Sequence, residues 1–378
     1  MACIPSRTVL LSIILYLFAV RACAEKAQAL FVFGDSYADT GNRNPFNQSE
    51  NQPWRRPYGF SWPGFPAGRF SSGKIQTDFW AEILGLPSPI AYELLRSHGC
   101  HKDATKISSG VNFAVGGSGI FHSFGFTPVP YQVEQFKKLI AGSREFDPQK
   151  LSRSIVLISV VGNDYLSFAK RTNGSIKGLE DLVKPVVSGI VDVVKNLYRS
   201  GLRNFAVSNM GAIRCGPGID RTSFDSIYCH IAVLHGKLLR DGVHRLRSDL
   251  EGLSIIIAEL SSAFNHVFSN PTHYDFEDVF LPCCVGKEGK GKCAEVDERG
   301  RALFEVCDNI KKKFFWDPVH LTERGWYTLM SLYSYGAEIA GEERKLSFIE
   351  GASNVMEWVE HLGFVARDIS FQSANSEV

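Results

Sequence analysis

Hydrophobic positions fall along this chain in two rhythms. Short unbroken apolar runs occur at Ala29–Phe33, Ile155–Val161, Phe205–Ser208 and Leu253–Ala258. Their lack of polar alternation predicts strands covered on both faces. Between them, segments 74–84, 131–141, 178–200, 222–250 and 322–340 repeat apolar residues at helical spacing. Strand followed by helix, repeated, predicts an α/β fold: a three-layer α/β/α sandwich around a central parallel sheet. Gly110–Val115 reads as one more short strand entering a glycine loop. No linker, repeat or low-complexity tract interrupts the pattern, so residues 25–378 are expected to form a single domain.

The first 24 residues follow a different rule. Thr8–Val20 is an apolar run behind Arg7, too short to span a bilayer comfortably, and Ala22-Cys23-Ala24 supplies the small-x-small pattern of a signal-peptidase site. Residues 1–24 are therefore expected to be a signal peptide cleaved before Glu25, and the mature protein to be secreted with no transmembrane segment. An uncleaved anchor is the competing reading, which the shortness of the run and Arg21 disfavour.

Secretion changes how the cysteines and sequons read. Of 9 cysteines, Cys3 and Cys23 leave with the leader. The remaining Cys100, Cys215, Cys229, Cys283, Cys284, Cys293 and Cys307 sit largely among glycine- and proline-containing connections, which suits disulfides that staple loops. Cys215 with Cys229 is a plausible local pair. Cys283, Cys284, Cys293 and Cys307 are expected to supply one or two more bridges, and Cys100 to remain free. No C-x-x-C pair or nearby histidine supports zinc, and no metal is expected. Asn47 and Asn173 each open an N-x-S/T sequon and are candidate glycosylation sites.

Composition closes off other classes. With 44% hydrophobic and 21% charged residues, the chain is neither disordered nor fibrous. Lys+Arg 41 against Asp+Glu 40 leaves a net charge of +1 and no basic stripe, so nucleic acid is not an expected partner.

In open parallel sheets, ligand chemistry collects beyond the carboxyl ends of the strands. Four segments stand there. Phe33-Gly34-Asp35-Ser36 puts a hydroxyl in the turn leaving the first strand, where a helix N-terminus would offer free N–H groups to an oxyanion; a simple helix cap is the bland alternative. Gly116-Gly117-Ser118-Gly119 lets backbone approach a ligand, without the lysine of a phosphate loop. Gly162-Asn163-Asp164 offers a short amide after the most apolar strand. Asp317-Pro318-Val319-His320 can set a carboxylate against an imidazole and fix its tautomer. Among other histidines, His98 and His101 lie in a polar loop, and His230, His235 and His244 read as the solvated face of one helix.

Together and in this order, GDS, NFAxGGxG, GND and DxxH resemble the SGNH/GDSL esterase–lipase family in its plant secreted branch, over residues 28–345. The resemblance implies a flavodoxin-like sandwich with a shallow, open site, no cofactor, and residence in cell wall or apoplast. It implies Ser36 as nucleophile, with its own N–H one oxyanion donor; Gly117 as the second donor, with Gly116 the alternative; Asn163 as the third; His320 as base; and Asp317 as its orienting acid. Tyr37 stands where the family motif has leucine, which puts in doubt the packing beneath the nucleophile or the acyl pocket. The implied substrate is a small-molecule, lipid or sugar ester, and a monomer is the default. An acyltransferase using the same triad, or a binding protein on a retired hydrolase scaffold, are the competing functions. Segments 43–70 and 283–313 are expected to wall the site, with Trp54, Tyr58, Phe60, Trp62 and Phe65 either lining a groove or packing within the loop.

Overall fold

The computed structural model describes residues 25–47, 52–97, 107–211, 215, 223–287, 291–339, 342 and 345–371. Residues 1–24, expected to be a signal peptide, and Cys100, with the neighbouring His98 and His101, lie outside them. Among the described residues no helix is long and apolar enough to cross a membrane.

The strands are β1 (Leu30–Gly34), β2 (Ile90–Ala91), β3 (Val111–Asn112), β4 (Ile155–Ser159), β5 (Asn204–Ser208), β6 (Ser254–Ala258), β7 (Cys284–Gly286), β8 (Phe304–Val306), β9 (Ala337–Glu338), β10 (Lys345–Leu346) and β11 (Ile349–Glu350). The helices are α1 (Gln76–Ile83), α2 (Tyr92–Ser97), α3 (Val129–Gly142), α4 (Pro148–Ser152), α5 (Asn163–Arg171), α6 (Val183–Arg199), α7 (Ser223–Asp249), α8 (Leu260–Ser269), α9 (Glu323–Tyr335) and α10 (Val355–His361). One seven-stranded sheet runs β11-β6-β5-β4-β1-β3-β2, parallel throughout except for β11, which pairs antiparallel with β6 at the edge.

The two-residue period of the strands sorts the core into two layers. Leu30, Val32, Ile155, Leu157, Ala206 and Ile256 face α1, α8, α9 and α10. Phe31, Phe33, Val156, Ile158, Phe205, Val207, Ile255 and Ile257 face α3, α6 and α7. Every residue of β1, β4 and β5 is buried, which is why those runs carry no polar alternation.

Three of the differences from expectation have a clear local reason. Strand β4 stops pairing at Ser159 because the Val161 N–H is taken by the Asp35 carboxylate at 2.9 Å. Helix α9 ends at Tyr335 rather than near 340, since Gly336 adopts φ +69°. The turn after β1 is a single helical turn, with Ala38 and Asp39 N–H both donating to the Asp35 carbonyl at 3.0 Å, and no helix follows. The Asp39 carboxylate accepts the next N–H groups, from Gly41, Asn42 and Arg43, and diverts the chain.

The edge strand β11 and helix α10 carried too little pattern to be foreseen. There Trp358 meets Trp80 of α1 edge to face, ring centroids 6.2 Å apart, and covers the end of that layer.

Candidate active site

β1 lies between β3 and β4, where the chain reverses its direction of travel across the sheet. Ser36, Gly117 and Asn163 follow the ends of these three adjacent strands. Approach there is close: a Cβ on Gly34 would fall 1.9 Å from the Ser159 carbonyl oxygen, so only glycine lets β1 turn against β4. Gln132 of α3 satisfies both the Gly34 N–H and carbonyl at 2.8 Å.

Three buried aspartates brace this floor. Asp35 accepts from the Tyr37 and Val161 N–H groups and so joins the β1 and β4 turns. Asp39 accepts from the Gly116 N–H at 2.8 Å and joins the β1 turn to the β3 loop. Asp164 accepts from the N–H groups of Ile120 and Phe121, both at 2.9 Å, and ties the β4 loop to the β3 loop. Burial pushes the Asp35 carboxyl up to about 7 and Asp39 up to about 6, against the lowering effect of those N–H groups.

The braces separate the two candidate glycines. The Gly116 N–H is consumed by Asp39, whereas the Gly117 N–H donates to no described residue. The Ser36 N–H is likewise uncommitted. Asn163 donates one amide N–H to the Ser118 carbonyl at 2.9 Å, which orients the amide beside Gly117 and leaves its second N–H available.

Opposite this floor stands the Asp317–His320 turn. His320 Nε2 lies 2.8 Å from Ser36 Oγ. His320 Nδ1 lies 2.8 and 2.9 Å from the two Asp317 oxygens. With Nδ1–H on the carboxylate, Nε2 presents a lone pair to the Ser36 hydroxyl. Asp317 also accepts from the N–H groups of Val319 and His320 at 2.9 Å and from the Tyr58 hydroxyl at 2.6 Å. Burial alone would raise the Asp317 carboxyl; His320 and these donors outweigh it and hold it below the ordinary carboxylate range. Ser36 and Asp317 are 8% and 6% exposed and the His320 side chain 14%, so the reacting edge stays reachable from solvent.

The turn is held by a disulfide-tied lobe. Cys283–Cys307 and Cys284–Cys293 bridge the β7–β8 hairpin, and the Cys283 and Cys284 N–H groups donate to the carbonyls of Phe315 and Trp316, just ahead of Asp317. These pairings leave no thiolates there for a metal. Cys215–Cys229 forms the third bridge, at the start of α7. His235 differs from its expected solvated position: it is buried against the Tyr165 hydroxyl at 2.8 Å, and burial lowers its imidazole to about 4.

Tyr37 is fully buried. Its hydroxyl donates to the Val319 carbonyl at 2.7 Å and its ring meets Trp326 edge to face at 5.2 Å. It steadies the histidine-bearing turn and does not line an acyl pocket. Of the aromatic loop, Tyr58 is 1% exposed beneath Asp317, the Trp54 indole donates to the Arg43 carbonyl, and Phe60 and Phe65 stay exposed. The support from Tyr58 was not legible: its partner lies 259 positions away. Phe70, 4.8 Å from the His320 ring between centroids, was equally hidden.

Known proteins are similar in sequence. The sequence model of the GDSL-like lipase/acylhydrolase family matches residues 30–330. Two Arabidopsis thaliana proteins, each named a GDSL esterase/lipase, are 37% identical to this chain. One alignment covers 80% of this chain and 85% of the relative, the other 81% and 86%. Among solved structures, an acetylxylan esterase from Geobacillus stearothermophilus matches loosely, with TM-score 0.32 and 13% identity over 66% of this chain and 83% of its own. That likeness carries no argument about substrate. The protein is a carboxylic ester hydrolase, and the chain belongs to the GDSL lipase/acylhydrolase family.

Proposed function

We propose that the protein is a secreted serine esterase that cleaves carboxylic esters through an acyl-enzyme on Ser36. The reading rests on one contact: Ser36 Oγ lies 2.8 Å from His320 Nε2 although 284 positions separate them. In the first half-reaction His320 takes the Ser36 proton as Oγ bonds to the ester carbonyl carbon. Asp317 stabilises the imidazolium, and the oxyanion is held by the N–H groups of Ser36 and Gly117 and the free amide N–H of Asn163. Collapse breaks the bond to the alcohol oxygen, which receives the proton from His320. Water then repeats the sequence: it gives a proton to His320, displaces the serine oxygen, and releases the acid as that proton returns to Ser36.

Labelling with a fluorophosphonate tests the assignment. Wild-type protein should label at one site and Ser36→Ala should not; full labelling of the variant would place the nucleophile elsewhere. Products formed with added acceptor alcohols should be free acid only, whereas transesterified product would favour acyl transfer. The leader-like N-terminus, three disulfides and plant relatives support secretion as a single unit from Glu25, which N-terminal sequencing of exported protein checks. Asn173, exposed on a turn, is the better placed glycan acceptor, and Asn47 is half-buried; a mobility shift on deglycosylation tests both.

A further inference from the structure

One cation at this site has no ion pair or side-chain hydrogen bond among the described residues. Arg43 leaves the turn after β1, and its guanidinium carbon lies 4.3 Å from the centre of the Phe126 ring and 5.4 Å from that of Phe70. Both rings belong to the site. A Cβ on Gly117 would fall 2.5 Å from Phe126, and the Phe70 ring packs 4.8 Å from the ring of His320. The Arg43 stem passes the same loop, with its Cδ 3.1 Å from where a Gly116 Cβ would stand. The charge therefore sits one ring away from the base and beside the oxyanion loop.

Guanidinium is always charged and carries five N–H donors in a planar fork. Here its Nε is buried without any acceptor, and the side chain forms no ion pair or hydrogen bond with a described residue. Asp39 lends a favourable field, but its oxygens are taken by the N–H groups of Gly41, Asn42, Arg43 and Gly116. Aromatic faces compensate a cation's charge without using its donors. A partly desolvated guanidinium with its buried Nε unbonded is unfavourable by itself and suited to a planar or tetrahedral anion that bonds it in bidentate fashion.

We propose that Arg43 is an anion-binding residue of the ester site, and that favoured substrates carry a carboxylate or phosphate a few atoms from the scissile carbonyl. This rests on the esterase reading above and names its substrate class. The anion belongs either to the acyl part, as in a dicarboxylic half-ester, or to the alcohol part, as in an acylated sugar or glycerol phosphate.

The test compares kcat/KM on matched esters. Mono-p-nitrophenyl glutarate is set against p-nitrophenyl pentanoate, and acetylated glycerol phosphate against acetylated glycerol, in wild type, Arg43→Met and Arg43→Lys. The ratio of anionic to neutral kcat/KM should fall roughly 10–100-fold in Arg43→Met in one of the two pairs and recover in part in Arg43→Lys, the pair identifying the side that bears the charge. In wild type that ratio should also fall as salt is raised. Equal losses on both members of each pair, or a salt-independent ratio, overturn the proposal and leave Arg43 as packing beneath the oxyanion loop. A second readout needs no turnover: glutarate or inorganic phosphate should protect Ser36 from fluorophosphonate in wild type and not in Arg43→Met. Absence of labelling in wild type would instead fail the esterase reading, so the two failures are separable.

Discussion

The two sides of this site are built by different means. Ser36, Gly117 and Asn163 stand on consecutive turns of a parallel sheet, in register with one another through β3, β1 and β4 and cross-braced by three buried carboxylates. Asp317 and His320 stand off the sheet, on a turn held by two disulfides, the Tyr37 and Tyr58 hydroxyls and packed rings. The floor inherits its precision from regular backbone hydrogen bonding. The arm has no sheet beneath it: beyond a few backbone bonds, such as those from Cys283 and Cys284 to Phe315 and Trp316, it relies on covalent staples and side-chain tethers, which act singly. Damage to the floor's donors should therefore appear in catalysis, while damage to the arm should appear in catalysis and heat stability together.

The largest effect is expected on the floor. Asn163→Ala removes the third donor of the proposed oxyanion site and should lower kcat by about 10²–10³ with little change in melting temperature. A loss seen chiefly in KM would break the comparison, because Asn163 would then be binding ground-state substrate. On the arm, replacing Cys283 and Cys307 with alanine should cost about 3 kcal/mol of unfolding free energy and also depress kcat. The matched Cys215/Cys229 alanine pair should destabilise without an equal loss of kcat, since that bridge is not bonded to the Asp317 turn. Equal loss of kcat in both would show that the lobe holds the arm no more tightly than any other bridge.

Tyr58→Phe sharpens the picture at one bond. Deleting a hydroxyl on a buried carboxylate should cost roughly 1.5–3 kcal/mol of unfolding free energy, with kcat falling alongside and KM nearly unchanged. The mildest test concerns Glu323, at the start of α9. It is buried with one unpartnered oxygen, and burial raises its carboxyl from 4.5 to about 7. A group whose folded-state value is raised contributes stability that is full below pH 4.5 and is lost as pH rises through about 7. Glu323→Gln should therefore match wild type near pH 4.5 and exceed it at pH 8 by on the order of 1 kcal/mol; denaturant melts at the two pH values decide.

Much of this was legible because it depends on local spacing. Unbroken apolar runs mark strands sealed on both faces, and the expected layering follows from them. Ser36, Asn163 and the Asp317–His320 pair were marked by their places relative to strands and turns. Gly116 and Gly117, by contrast, could not be told apart from neighbouring positions in a glycine pair. What separates them is Asp39, 77 positions upstream, which engages one N–H and leaves the other. His235 reads as one more polar position on a long helix, and becomes a core residue only because α5 places Tyr165 over it.

Sequence alone thus determined the central strands, the longer helices, the parallel layering and the chemistry available at the strand ends, because backbone propensity and hydrophobic period act over a few residues. Tertiary structure alone decided which donors stay open, that Tyr58 supports Asp317, that Tyr37 braces the histidine turn, and that Arg43 stands between two rings without an acceptor. Those depend on contacts between segments tens to hundreds of positions apart, formed only when both core layers have closed. No periodicity within either segment encodes them.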